Sequence, residues 1–240
     1  MTVTTHPLGE GREKLKAISD LNDLYETMTP VQILEDVFSR GVFGDIAAVS
    51  SFGAESAVLL HMISRIRPDT PVLMIDTGKL FGETLQYRNR LQHLFGLEDI
   101  RACSPRRTEL EDVDPMGTLS ATDPDTCCKV RKTQVLKRAL SSFNSWINGR
   151  KRYQSDTRSL MSIVERDGER LKVNPLANWS AETIKVYMSE HDIPSHPLVE
   201  KGYRSIGCYP CTSRVGAGDN ERSGRWAGLD KTECGIHNLD

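Results

Sequence analysis

With 31 lysines and arginines against 33 aspartates and glutamates, this 240-residue chain carries a formal charge of −2, which excludes the strongly basic balance of a general nucleic-acid binder. A chain of this length buries a core without disulfide support. Residues 1–16 hold no apolar run of signal-peptide length, and stretches such as Ala57–Leu60 and Val72–Ile75 are too short to span a bilayer, so a cytoplasmic location without membrane partners is expected.

The first predicted elements are helical. Thr29-Pro30-Val31-Gln32 reads as a helix start, with Thr29 as cap, Pro30 in the first turn and Gln32 closing a capping box ahead of Ile33, Leu34, Val37 and Phe38. Residues 1–45 are expected as a helical segment packed on the core. From Ile46, short apolar runs alternate with amphipathic stretches: Ile46–Ser50, Ser56–Ile66, Val72–Ile75, Gly82–Phe95 and Asp99–Cys103. That rhythm predicts βαβ units, hence an α/β fold with an open, mainly parallel twisted sheet and helices on both faces. Asp123-Pro124 opens a further helix through Val130, Val135, Leu136 and Leu140. Ser145–Asn148 predicts a strand ending at Gly149, and Ser180 caps a helix carrying Ile184, Val186 and Tyr187. The α/β domain is expected over 46–206. From Gly207 onward, glycines and charges replace aliphatics, so 207–240 reads as a loop-rich, mobile tail.

Ser50 to Ser56 lies between a predicted strand and a predicted helix, where backbone N–H groups and a helix N-terminus hold anions. Ser51, Phe52, Gly53 and Ser56 are the candidate contacts, although any strand-to-helix turn favours Ser and Gly. Asp76, Thr77 and Gly78 end the next strand at the edge where open α/β sheets bind ligands. Two adjacent loops at one edge predict a nucleotide cleft. Residues 51–56 resemble the loop of the adenine-nucleotide α-hydrolase-like group, whose ATP-using members carry Ser-Gly-Gly-x-Asp-Ser. Phe52 and Ala54 depart from that form and argue against ATP chemistry.

Six cysteines in a reducing compartment serve more often as metal ligands or catalytic groups than as disulfides. Cys127-Cys128 begins a helix, where free N–H groups favour thiolate. Cys208-Tyr209-Pro210-Cys211 follows in a loop that starts at Gly207. Four sulfurs suit zinc or an iron–sulfur cluster. Adjacent side chains on a helix diverge by about 100°, which is awkward for one small ion and suits a cube with an iron at each corner; zinc stays open as the alternative. Cys103 is expected as a buried strand residue. Near the end, Cys234 is flanked by Gly235, with Lys231 and His237 placed to favour its thiolate and Arg222 and Arg225 offering planar forks to phosphate or sulfate oxygens. On a mobile tail such a thiol can enter a cleft and leave it.

Ser-Phe-Gly-Ala-Glu-Ser at 51–56, Asp-Thr-Gly at 76–78, Leu-Phe-Gly-Glu-Thr at 80–84, Cys-Cys-Lys-Val-Arg-Lys at 127–132, Gly-Arg-Lys-Arg-Tyr-Gln-Ser at 149–155 and Glu-Cys-Gly-Ile-His at 233–237 appear in one order. Together they resemble the assimilatory phosphosulfate reductase family from about Ser50 to His237. The resemblance implies that Cys234 is the nucleophile and that Cys127, Cys128, Cys208 and Cys211 bind a [4Fe–4S] cluster. It implies further that Lys132 lies between cluster and substrate, while Arg152, Arg222, Arg225 and His237 bind or cover the substrate. Arg150 and Lys151 depart from the common Gly-Leu-Arg-Arg form, so Arg152 is the expected contact there.

The reaction so implied is attack of Cys234 on adenosine 5′-phosphosulfate, leaving a cysteine S-sulfonate from which thioredoxin, or a glutaredoxin-like reductant, frees sulfite. Family members with all four cluster cysteines usually take this substrate, and those without them its 3′-phosphorylated form. A homo-oligomer is compatible with all of this. Two other readings stand beside it: an ATP-dependent adenylating sulfurtransferase, and a noncatalytic zinc-stabilised binding or redox-sensing protein.

Overall fold

The computed structural model describes residues 7–237 except 217, 219, 221, 230 and 232, with first-helix side chains from Lys16 onward. Residues 1–6 of the expected N-terminal segment and positions 217, 219, 221, 230, 232 and 238–240 of the expected tail lie outside that description. Helices α1 (Pro7–Tyr25) and α2 (Pro30–Ser39) come first. The capping box forms as its residues dictate: Gln32 N donates to Thr29 Oγ1 at 3.3 Å, and Thr29 N to Gln32 Oε1 at 2.9 Å. Ile33, Leu34 and Val37 of α2 pack with Tyr25 and Phe43 into the main core.

The crossover rhythm then appears as β1 (Ile46–Val49), α3 (Ser56–Ile66), β2 (Val72–Ile75), α4 (Gly82–Phe95) and β3 (Ile100–Cys103). Short helices α5 (Arg107–Val113), α6 (Leu119–Thr122) and α7 (Pro124–Cys128) lead through one π-helical turn, Lys129–Thr133, into α8 (Gln134–Ala139) and β4 (Ser145–Asn148). Strands β5 (Val164–Asp167) and β6 (Arg170–Val173) and helix α9 (Ala181–Glu190) follow. The six strands lie in the order β3-β2-β1-β4-β6-β5, parallel except for β5 against β6. The order reverses at β1, whose Ala48 aligns with Val72 on one side and Ile147 on the other. Open α/β sheets bind ligands beyond the carboxyl ends of the strands at such a switch point.

Side chains alternate across the sheet. Ala48, Val72, Met74, Ile147 and Val173 face the core built with α2 and α3, while Ala47, Leu73, Ile75 and Trp146 face Val135, Leu136 and Leu140. Two findings depart from the sequence reading. The β5–β6 hairpin was not expected; it turns at Gly168, whose φ of 60° suits glycine. Cys103, expected to be buried, is half-buried because β3 is an edge of the sheet. At the opposite edge Asn22 of α1 covers β5, donating to Val164 O and accepting from Val164 N, both at 2.9 Å, which satisfies groups that an edge strand leaves unpaired. Among the described residues no helix is long and apolar enough to cross a membrane.

Candidate active site

The carboxyl ends of β1, β2 and β4 and the returning tail enclose a cleft of about 340 Å³, within the range of small-molecule sites. Ser50 Oγ accepts the Phe52 N–H at 3.2 Å, and Phe52 takes the left-handed φ of 49° with its ring fully buried in the core. A non-glycine residue in that region stores strain that its surroundings must hold. Phe52 is therefore the anchor of the loop and not a cleft-lining side chain; Ser51, Gly53, Glu55 and Ser56 line the cleft beside it. Of the second loop, Thr77 reaches the cleft. Asp76 instead shapes the turn, its Oδ1 accepting the Gly78 N–H at 3.0 Å.

Thr77, Lys132 and Cys208 line both this cleft and a small adjoining cavity of about 10 Å³, where Cys127, Cys128 and Cys211 join Cys208. Lys79 N donates to Thr77 Oγ1 at 3.1 Å, and the same hydroxyl lies within hydrogen-bond distance of Cys208 Sγ, 3.2 Å away. Arg131 donates to Thr77 O at 2.9 Å and to Asp114 Oδ2 at 2.7 Å beneath them. Burial pushes the thiols of Cys127 and Cys211 up and that of Cys128 up to about 11. Cys127 and Cys128 follow the Asp123 cap and Pro124 in the opening turns of the helical run that α7 begins. Four sulfurs without a carboxylate or imidazole in the lining form a soft donor set that fits a zinc or iron–sulfur group. Among the described residues no three metal-binding side chains converge as for a single ion.

Lys132 sits in the π-helical turn, a distortion frequent at functional sites. Burial pulls its pKa down, but the sulfurs of Cys208, Cys234 and Cys128 outweigh burial and hold it above the ordinary lysine value. Arg222 and Arg225 line the cleft. Gly224 between them is required: a Cβ there would lie 2.3 Å from Ser213 O. Arg158, which the sequence reading missed, is buried in the same wall with its guanidinium on the carboxylate of Glu233. Arg152 is the correction to that reading. It points away from the cleft, pairing with Glu26 at 2.6 Å and donating to Met161 O at 2.8 Å. Lys151 lines the cleft instead and meets Glu55 at 2.7 Å, while Arg150 pairs with Glu165. Among the described residues neither Lys132 nor Arg225 has a carboxylate partner.

Cys234 is half-buried and lines the cleft. The expected cationic neighbours are differently engaged. Lys231 pairs with Asp125 and lies over the Trp226 ring, 5.7 Å from its centroid. Burial, with Arg150, Arg158, Lys172 and Arg222 around it, holds the His237 imidazole well below the usual histidine range. It is neutral, so the cations whose pKa values register Cys234 are Lys132 and Arg222.

A mainly parallel sheet with a switch point at β1, a strand-to-helix loop after that strand and a cleft across it are the features of the adenine-nucleotide α-hydrolase-like fold. Two solved structures share this fold: a phosphoadenylyl-sulfate reductase from Candida auris in a phosphate complex (TM-score 0.70, 21% identity, 90% of this chain and 100% of that one), and yeast FAD synthetase with FAD (TM-score 0.54, 11% identity, 83% and 74%). The model of the phosphoadenosine phosphosulfate reductase domain matches residues 45–214, and a Mesorhizobium japonicum protein named adenosine 5′-phosphosulfate reductase is 48% identical over 90% of this chain and 85% of its own. The chain belongs to the phosphoadenosine phosphosulfate reductase family and is an oxidoreductase acting on a sulfur group.

Proposed function

We propose that the chain reduces adenosine 5′-phosphosulfate to sulfite and AMP in cytoplasmic sulfate assimilation, with a thioredoxin-type dithiol as reductant. The observation that carries this reading is the convergence on one cleft of the Cys234 thiol, the strained anion loop, Lys132, Arg222 and Arg225. The Cys234 thiolate attacks the sulfur of the phosphosulfate. An S–S bond forms, the bridging S–O bond breaks, and AMP leaves with the electron pair. A thiolate of the reductant then attacks Cys234 Sγ, sulfite leaves with the S–S electron pair, and the reductant's second thiol resolves the mixed disulfide. The dithiol is oxidised to a disulfide, and the substrate sulfur is reduced by two electrons.

Within this chain, Lys132 offsets the charge that an anionic substrate and an approaching thiolate bring together, and the loop amides and arginines orient the phosphosulfate. Cys127, Cys128, Cys208 and Cys211 would hold a [4Fe–4S] cluster, which supplies fixed charge beside the substrate. Preference for a free 3′-hydroxyl is supported by Lys151 and Arg150, which already face Glu55 and Glu165 and so offer little countercharge to a further phosphate. The test is sulfite release with thioredoxin, together with mass spectrometry of protein given substrate alone. The expected adduct is a sulfonate on Cys234, lost together with activity in Cys234→Ser; an adduct on Cys103 would overturn the assignment.

A further inference from the structure

Glu233 immediately precedes the nucleophile and lines the same cleft. Its carboxylate receives Arg158 as a fork, Nε to Oε1 at 2.8 Å and Nη2 to Oε2 at 2.9 Å, and Arg222 Nη2 to Oε2 at 3.3 Å. Ser155 Oγ lies at 3.5 Å from Oε1. Arg158 also donates from Nη1 to Gln154 Oε1 at 2.6 Å and is 8% exposed, so the Nε–Nη2 fork it could offer a ligand is the one the carboxylate occupies.

We infer that Glu233 is a tethered competitor for the anion site: its carboxylate holds Arg158 and Arg222 while the cleft is empty, and an anionic group of the nucleotide displaces it. The inference rests on the reading of the cleft as an adenylyl phosphosulfate site and adds a role for a residue beside the nucleophile. Carboxylates and phosphate or sulfate oxygens fit the same planar guanidinium fork, and one fork cannot serve both at full strength. A carboxylate left in place would also repel the incoming anion at short range across a partly desolvated cleft. Glu55 and Glu165 pair with Lys151 and Arg150 within the α/β domain, so those pairs need not open. The Glu233 pair joins the tail to the wall, so opening it loosens the segment that carries Cys234.

AMP binding to the full chain with its cofactor is measured by titration calorimetry at fixed ionic strength, wild type against Glu233→Gln. The amide cannot hold the two guanidinium groups as a carboxylate does, so AMP is expected to bind roughly three- to tenfold more tightly to the variant. Equal or weaker binding by the folded variant overturns the inference. A clasp that only supported the tail would not raise affinity. Should the variant fail to fold, hydrogen exchange on wild type decides: saturating AMP is expected to slow exchange at residues 50–56 and to speed it at 233–237, and slowing at both overturns the inference. Wild type that fails to bind AMP would sink the adenylyl reading itself and this inference with it.

Discussion

The imidazole of His237 lies flat on the indole of Trp146, ring centroids 5.9 Å apart and planes 6° from parallel. Ile236 packs beside them, and Lys172 Nζ donates to His237 O at 3.0 Å. This seat on β4 fixes the end of the described tail and accepts only a neutral ring, since burial and four surrounding cations disfavour the imidazolium. The seated pKa lies below the ~6.5 of an unperturbed histidine. Docking is therefore expected to be complete above that value and to weaken as pH falls below it toward the seated value. Alkylation of Cys234 in the ligand-free protein is expected to accelerate as pH falls below about 6.5 once corrected for thiolate fraction, and to lose that acceleration in His237→Phe. The same pH profile in both proteins would show that His237 does not gate the tail.

The parallel sheet was legible because its strands are apolar runs separated by amphipathic helices, and each of those runs became a strand. The β5–β6 hairpin was not, because Val164–Asp167 and Arg170–Val173 carry charges at half their positions or more. The Asp167-Gly168 pair was its one turn signal. Cys234 and the four-thiol set were legible as motifs, whereas Arg158, Glu233 and Glu55 were not. A charged residue declares its role only when its partner is known, and Arg158 meets Glu233 from a distant part of the chain. The same limit misplaced Arg152, whose partner Glu26 lies in the segment after α1.

Asp114 and Arg131 form a buried ion pair at 2.7 Å, with side chains 1% and 8% exposed, beneath the four cysteines. Asp114 also accepts the Leu119 N–H at 3.0 Å. Removing one partner leaves the other charge uncompensated, so Asp114→Asn is expected to cost about 3–5 kcal/mol. Urea unfolding of the two proteins checks this, and a loss within ~0.5 kcal/mol would place the pair among those that surface solvation renders neutral.

Cys208→Ser is expected to deplete iron and acid-labile sulfide and to bleach the brown colour of anaerobically purified protein, since a hydroxyl is a poor substitute for a soft thiolate. Cys103→Ser, at the far edge strand, should retain both. Metal analysis of the wild type separates the alternatives: stoichiometric zinc and a colourless protein would replace the cluster with a single ion.

Lys151 is 2% exposed and its Nζ meets Glu55 Oε2 at 2.7 Å, while Tyr153 and Gln154 donate to the same carboxylate. Burial would raise the Glu55 pKa, but Lys151 and these donors outweigh it and keep the group ionised. A further phosphate beside the anion loop would meet that carboxylate, and its desolvation would go largely uncompensated. Adenosine 5′-phosphosulfate is thus expected to be preferred in competition kinetics with thioredoxin present. Glu55→Gln removes the repelling charge and exposes that of Lys151. Relative kcat/KM for the 3′-phosphorylated substrate should then rise roughly tenfold, equivalent to about 1.4 kcal/mol. An unchanged ratio would place the 3′ position away from Glu55. A wild type that favours the 3′-phosphorylated form would reject the preference and leave the Cys234 chemistry intact.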